Sequence, residues 1–76
     1  MNTERRNRLR NAISMLSSAA RIIESVCDKE EDCRDNYPEN LQSTGRFEQM
    51  ETAIDNLNEA MERLDDAKEC IELAIG

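Results

Sequence analysis

Apolar side chains recur along the first half of the chain in two parallel lines. Leu9, Ile13, Leu16, Ala20, Ile23 and Cys27 are spaced alternately by four and three, and Ala12, Met15, Ala19, Ile22 and Val26 run beside them with the same alternation. That is the period of an α-helix. The two lines fill four of every seven positions and leave Arg10, Asn11, Ser14, Ser17, Ser18, Arg21, Glu24 and Ser25 outside. A seam between two helices needs only two positions in seven, so a face this wide requires more than one neighbouring helix.

The second half repeats the arrangement with a narrower seam: Phe47, Met50, Ile54, Leu57, Met61, Leu64, Ile71 and Ile75, interrupted once by Lys68. Beside it stand Ala53, Ala60, Ala67 and Ala74, one in every heptad. A row of alanines lets a second backbone approach closely, and alanine is also the best helix former. The breakers Pro38 and Gly45 fall mid-chain. Helices are therefore expected over residues 3–32 and 44–75, joined by a loop over 33–43, with Thr44 as N-cap of the second helix. Pro38 suits a short helical turn, over which Tyr37 and Leu41 can fold back. The expected fold is all-α: one domain spanning 1–76, an antiparallel, coiled-coil-like two-helix hairpin that dimerises through its wide apolar faces into a four-helix bundle.

Charge sharpens this picture. The chain carries +3 over residues 1–27, -4 over 28–43 and -6 over 44–76, a net -7. Arg5, Arg6, Arg8 and Arg10 crowd one helix N-terminus, and Asp65, Asp66, Glu69 and Glu72 crowd the other helix's C-terminus, each on the wrong pole of its own macrodipole. A hairpin with flush ends pairs residues whose numbers add to about 76, bringing Arg10 to Asp65 or Asp66 and Arg6 to Cys70, so that the two clusters neutralise each other. The alternative use of the four arginines is a phosphate ligand or nucleic acid, which the acidic remainder of the chain would repel. On the second helix Glu48, Asp55, Glu62 and Glu69 recur every seven residues, flanked by Glu51, Glu59, Asp65, Asp66 and Glu72. Such a ridge is either a solvated face that maintains solubility or a surface that imitates a nucleic-acid backbone and docks into a basic groove.

The residue inventory excludes most catalytic chemistry. There is no histidine or tryptophan, and one tyrosine and one phenylalanine cannot build a base-stacking platform. No carboxylate lies in an apolar stretch that would tune it for acid-base work, so an enzyme is not expected. Three cysteines, Cys27, Cys33 and Cys70, cannot close into pairs. Cys27 and Cys33 point about 240° apart on a continuous helix, which argues against a disulfide. Cys27 reads as a small core residue, and the acids around it lack the glycine and oxygen spacing of a calcium loop. No metal and no cofactor are expected. No window supplies the roughly 20 apolar residues of a membrane span, and the arginine-rich start lacks a cleavage pattern. The expected setting is soluble and cytoplasmic.

The strip from Asn36 to Ala60, NYPENLQSTGRFEQMETAIDNLNEA, is the most distinctive. It resembles short acidic helical-hairpin proteins of bacteriophages and mobile elements of Gram-positive and gut bacteria, a widespread group without a settled activity. Asn36, Pro38, Glu39, Asn40, Leu41, Gln42, Arg46, Glu48, Met50 and Glu51 carry the likeness, while Gly45 stands where a charged residue is more usual. The resemblance implies a mobile-element accessory protein of a bacterial host cell, and by association one that inhibits a bacterial defence enzyme. The expected function is then non-enzymatic protein binding: inhibition of a basic, nucleic-acid-binding bacterial protein, without direct contact to nucleic acid or membrane. The candidate contacts are Glu48, Glu51, Asp55, Glu59, Glu62, Asp35, Tyr37 and Glu39. Two alternatives are a homo-oligomeric bundle that sequesters a small phosphorylated or cyclic-nucleotide signal through Arg5, Arg6, Arg8 and Arg10, and a purely structural oligomerisation module.

Overall fold

A computed structural model describes all residues from Met1 to Gly76. Two helices account for the fold: α1 over Thr3–Asp35 and α2 over Gly45–Ile75, joined by a connection that holds one 3-10 turn at Glu39–Leu41. They pack side by side in opposite directions into a rod of 60 × 15 × 13 Å. The all-α hairpin is as the periodicity predicts.

Each helix start is fixed by one polar side chain. Asn2 Oδ1 accepts from the Arg5 N–H at 2.8 Å, closing one of the free donors that every helix N-terminus presents. Thr44 serves twice, as its hydroxyl donates to the Leu41 carbonyl at 2.7 Å and accepts from the Phe47 N–H at 3.5 Å. The short bond ties the cap to the preceding turn, so Thr44 welds connection and helix together.

The end of α1 lies three residues beyond the expected Asp32. Nothing in Cys33-Arg34-Asp35 breaks a helix, and Pro38 restricts only the residue before it. Arg34 in the last turn offsets the three preceding acids against the dipole. Asn36 then caps the end, donating both its backbone N–H (3.1 Å) and its Nδ2 (2.8 Å) to the Asp32 carbonyl. The connection is accordingly shorter than the expected 33–43 loop.

Register is set at the tip. The Tyr37 and Phe47 rings stack with centroids 5.6 Å apart, and farther along Cys27 Sγ reaches Asn58 Oδ1 at 3.7 Å. Facing residue numbers therefore add to 84 or 85, not to the 76 that flush ends would require. Leu9 stands level with Ile75, and residues 3–8 of α1 extend past the end of α2. Of the two tip residues expected to fold back, Tyr37 does so, while Leu41 stays 40% exposed. Only Cys27 and Ile54 are buried, at 2% exposure each, and the other seam residues are half-covered. Lys68 occupies its seam position by lying along the stripe and turning its ammonium out to Asp65, at 3.2 Å.

With Cys27 and Ile54 each set at heptad position a, the seam occupies a and d of both helices. In an antiparallel pair position e then flanks e and position g flanks g. The two long faces of the hairpin differ. One carries Arg10, Ser17, Glu24 and Glu31 beside Glu72, Asp65, Asn58 and Glu51. The other carries Ala12, Ala19, Val26 and Cys33 beside Ala74, Ala67, Ala60 and Ala53. Surface hollows lined by Arg10 with Glu72, and by Ser17 and Glu24 with Asp65, lie on the polar face, and one lined by Cys33, Arg46 and Gln49 on the other.

Candidate functional site

The acidic residues of α2 fall on the polar side of the hairpin. At 100° per residue, Glu51, Glu62, Asp55, Glu48 and Glu59 lie within a sector of about 80°, on the flank turned away from the alanine row. All five are exposed. The ridge from Glu48 to Glu69 is about 32 Å long at 1.5 Å per residue.

Cations reach this ridge only from its own helix. The three ion pairs of the chain are all local: Arg63 to Glu59 at 2.6 Å, Lys68 to Asp65 at 3.2 Å, and Arg34 to Asp35 at 3.2 Å. Glu48, Glu51, Asp55 and Glu62 have no ion-pair partner. At the tip, Asp35 ends α1 and Glu39 opens the 3-10 turn, both exposed, so they prolong the negative side beyond Glu48. Tyr37 packs against Phe47 at the tip, as its expected fold-back requires, and is half-buried there, leaving part of its side chain exposed.

None of the four N-terminal arginines forms an ion pair with the acidic end of α2. With facing numbers near 84, Asp65 lies beside Ala20 and Arg21, and Arg10 shares a hollow with Ile13, Glu72 and Ile75. Arg10 Nη1 instead donates to Asn7 Oδ1 at 3.0 Å. Arg5, Arg6 and Arg8 stand on the overhang, beyond any residue of α2. The four do not share one face either: Arg5 and Arg8 border an open hollow with Met1 and Leu9, while Arg6 turns toward the seam, where its Nε is enclosed without a hydrogen-bond partner.

No protein-family model, no curated protein and no solved structure matches this chain.

Sequence reasoning missed the environment of Cys27. Its Sγ donates weakly to Glu31 Oε1 at 3.8 Å and to Asn58 Oδ1 at 3.7 Å. Burial raises its pKa, and the Glu31 and Asp28 carboxylates raise it further against a smaller opposing effect of Arg34. The thiol is thereby kept neutral and poorly nucleophilic. Cys33 and Cys70 are free and exposed. No three cysteine or carboxylate side chains converge as metal ligands, since the acids of residues 28–32 spread around their helix. No helix is long and apolar enough to cross a membrane.

Proposed function

We propose that this chain is a non-enzymatic protein-binding module whose acidic side docks onto a basic surface of a partner protein. The observation that carries this reading is the row Glu48, Glu51, Asp55 and Glu62, exposed along one flank of α2 without a countercharge from α1. A row of carboxylates fixed to a stiff helix keeps its charges in register, and complementary charge gives rapid, salt-sensitive association. Likeness of the Asn36–Ala60 strip to phage and mobile-element proteins supports a more specific form: an accessory protein in the cytoplasm of a bacterial host that inhibits a nucleic-acid-binding defence protein by imitating its polyanionic ligand. Glu39 and Asp35 extend the contact around the tip. Self-association into a four-helix bundle belongs to the same reading, because a hairpin with two buried side chains leaves most of its apolar surface wet.

Affinity capture from bacterial host extract at low and high salt tests it. A basic partner held at low salt, released at high salt and lost on combined Glu48→Lys, Asp55→Lys and Glu62→Lys is expected. Capture that survives the triple reversal would refute the ridge.

The overhang favours a second reading, in which Arg5 and Arg8, with no carboxylate from α2 near them, hold a small phosphorylated ligand. Calorimetry with cyclic nucleotides separates the two, since only this one predicts heat.

A further inference from the structure

The alanine face has no covering within the hairpin. Met15 and Ile22 on its α1 border are 64% and 66% exposed, and Val26 within it is 45% exposed. The chain exposes 5761 Å², whereas a compact monomer of its 8.7 kDa would expose about 4700 Å². The shared length of the helices, about 40 Å from Leu9 to Asp35, and the 15 Å width of the rod give this face roughly 600 Å² in projection. That approaches the roughly 800 Å² per partner of a standard stable interface.

We propose that a second copy of this chain covers the face, with the two-fold axis running along the helices so that each α1 packs on the α2 of the other copy. This rests on the self-association in the reading above and adds its geometry. Two hairpins can meet face to face about an axis along the rods, which sets α1 on α2, or about one across them, which sets α1 on α1 and α2 on α2.

Shape and charge both choose the first. On the α1 half Met15, Ile22 and Val26 stand out beside Ala12 and Ala19, and the α2 half is a line of alanines at 53, 60, 67 and 74 bordered by Gln49, Asn56, Arg63 and Cys70. Large side chains against small ones give even spacing and interdigitation on both sides of the bundle. Crossing the axis instead would set alanines on alanines along one side and bulky residues on bulky ones along the other, forcing unequal spacings. The charges agree: α1 is neutral over its length, with seven cations against seven acids, while α2 carries nine acids against three cations. Neighbouring axes lie about 8–10 Å apart, near one Debye length at physiological ionic strength. Placing each neutral α1 between two α2 helices keeps the acidic helices apart on the diagonal of the bundle.

A two-fold axis allows no slide along itself, so the register between copies repeats that within the hairpin. Met15 then stands level with Cys70 of the second copy. The test mixes two full chains that both carry Cys33→Ser, one with Met15→Cys and Cys70→Ser and the other with Cys70 retained, so that the link from position 15 to Cys70 can form only between copies. The mixture is treated with a short bismaleimide after sedimentation analysis at the same concentration. A dimer of twice the chain mass is expected, converted to a covalent dimer on a denaturing gel, with cross-linking lost when Cys70→Ser is added to the second chain as well. An axis across the rods would hold these thiols more than 20 Å apart, because positions 15 and 70 lie near one end of the hairpin and would go to opposite ends of the bundle. A sedimenting dimer that fails to cross-link would overturn the axis while leaving self-association intact. A monomer would overturn both. Neither result bears on the acidic ridge, which the salt-dependent capture tests separately.

Discussion

Ile54→Ala should be among the most damaging single truncations in the chain. Ile54 is one of two buried residues, at 2% exposure, and the change removes three carbons from the middle of the seam. At about 0.8 kcal/mol per buried methylene, the lost transfer energy is about 2.4 kcal/mol. A cavity term can raise such losses toward 5 kcal/mol in a rigid core, but here the neighbouring seam residues Met50, Leu57 and Met61 are only half-covered. They can close over the space, so the expected loss stays at about 2–3 kcal/mol. Urea unfolding followed by helical circular dichroism measures it, at one fixed chain concentration because self-association would add a concentration-dependent contribution. With a urea slope of about 1 kcal/mol/M for so small a domain, the midpoint should fall by about 2 M or more. Leu73→Ala, at a position 75% exposed, should change stability by less than about 0.5 kcal/mol. A loss below about 1 kcal/mol at Ile54, or one no larger than at Leu73, would refute the assignment of the stabilising core to this seam.

Two further outcomes follow from the tip and from the buried thiol. Thr44→Ala deletes the N-cap of α2 together with the 2.7 Å bond to Leu41; a loss of about 1 kcal/mol is expected, read as a drop of about 4–8 °C in the melting midpoint, with Thr44→Ser restoring most of it. Cys27 titrates above its ordinary value in the folded chain, so its contribution is fully present below the unfolded thiol's pKa, about 8.5. As pH rises past that point the unfolded chain ionises first, and stability falls until the folded-state value is reached. Cys27→Ala should show a shallower decline between pH 7.5 and 9.5 than the parent chain in the same urea experiment.

Much of the hairpin was legible from residue spacing. The seam from Phe47 to Ile75, the cap at Thr44 and the opening of α2 at Gly45 and Arg46 follow from period and polarity, because each depends on residues within one or two turns of one another. The end of α1 lies beyond the expected Asp32 because the compensating Arg34 and the double donation by Asn36 are details of geometry that spacing does not carry. The register was misjudged for a different reason. Flush ends are an economical assumption about length, but facing pairs are chosen by interlocking side chains, and Tyr37 on Phe47 fixes the fold-back nearer residue 42. That shift also moved the arginines away from the acids meant to neutralise them. The difference between the two faces was present in the sequence all along. Alanines 53, 60, 67 and 74 and residues 12, 19 and 26 occupy the same heptad letter on their respective helices, a coincidence that becomes meaningful only once the chains are known to run antiparallel. For the ridge, spacing shows the row of acids, whereas the absence of any ion pair from α1 depends on the register of the two helices.

The two helices end out of step, and this has a bearing on how the molecule ages in a cell. The first two turns of α1 project past the last turn of α2, with only Arg6 turned back toward the seam, so they should fray on their own while the body from Leu9 to Ile75 stays closed. Three arginines in that stretch make it the natural first target of a trypsin-like protease. Clipping after Arg8 would remove three positive charges and one negative, taking the net charge from -7 to -9 and leaving a trimmed rod more acidic than its parent.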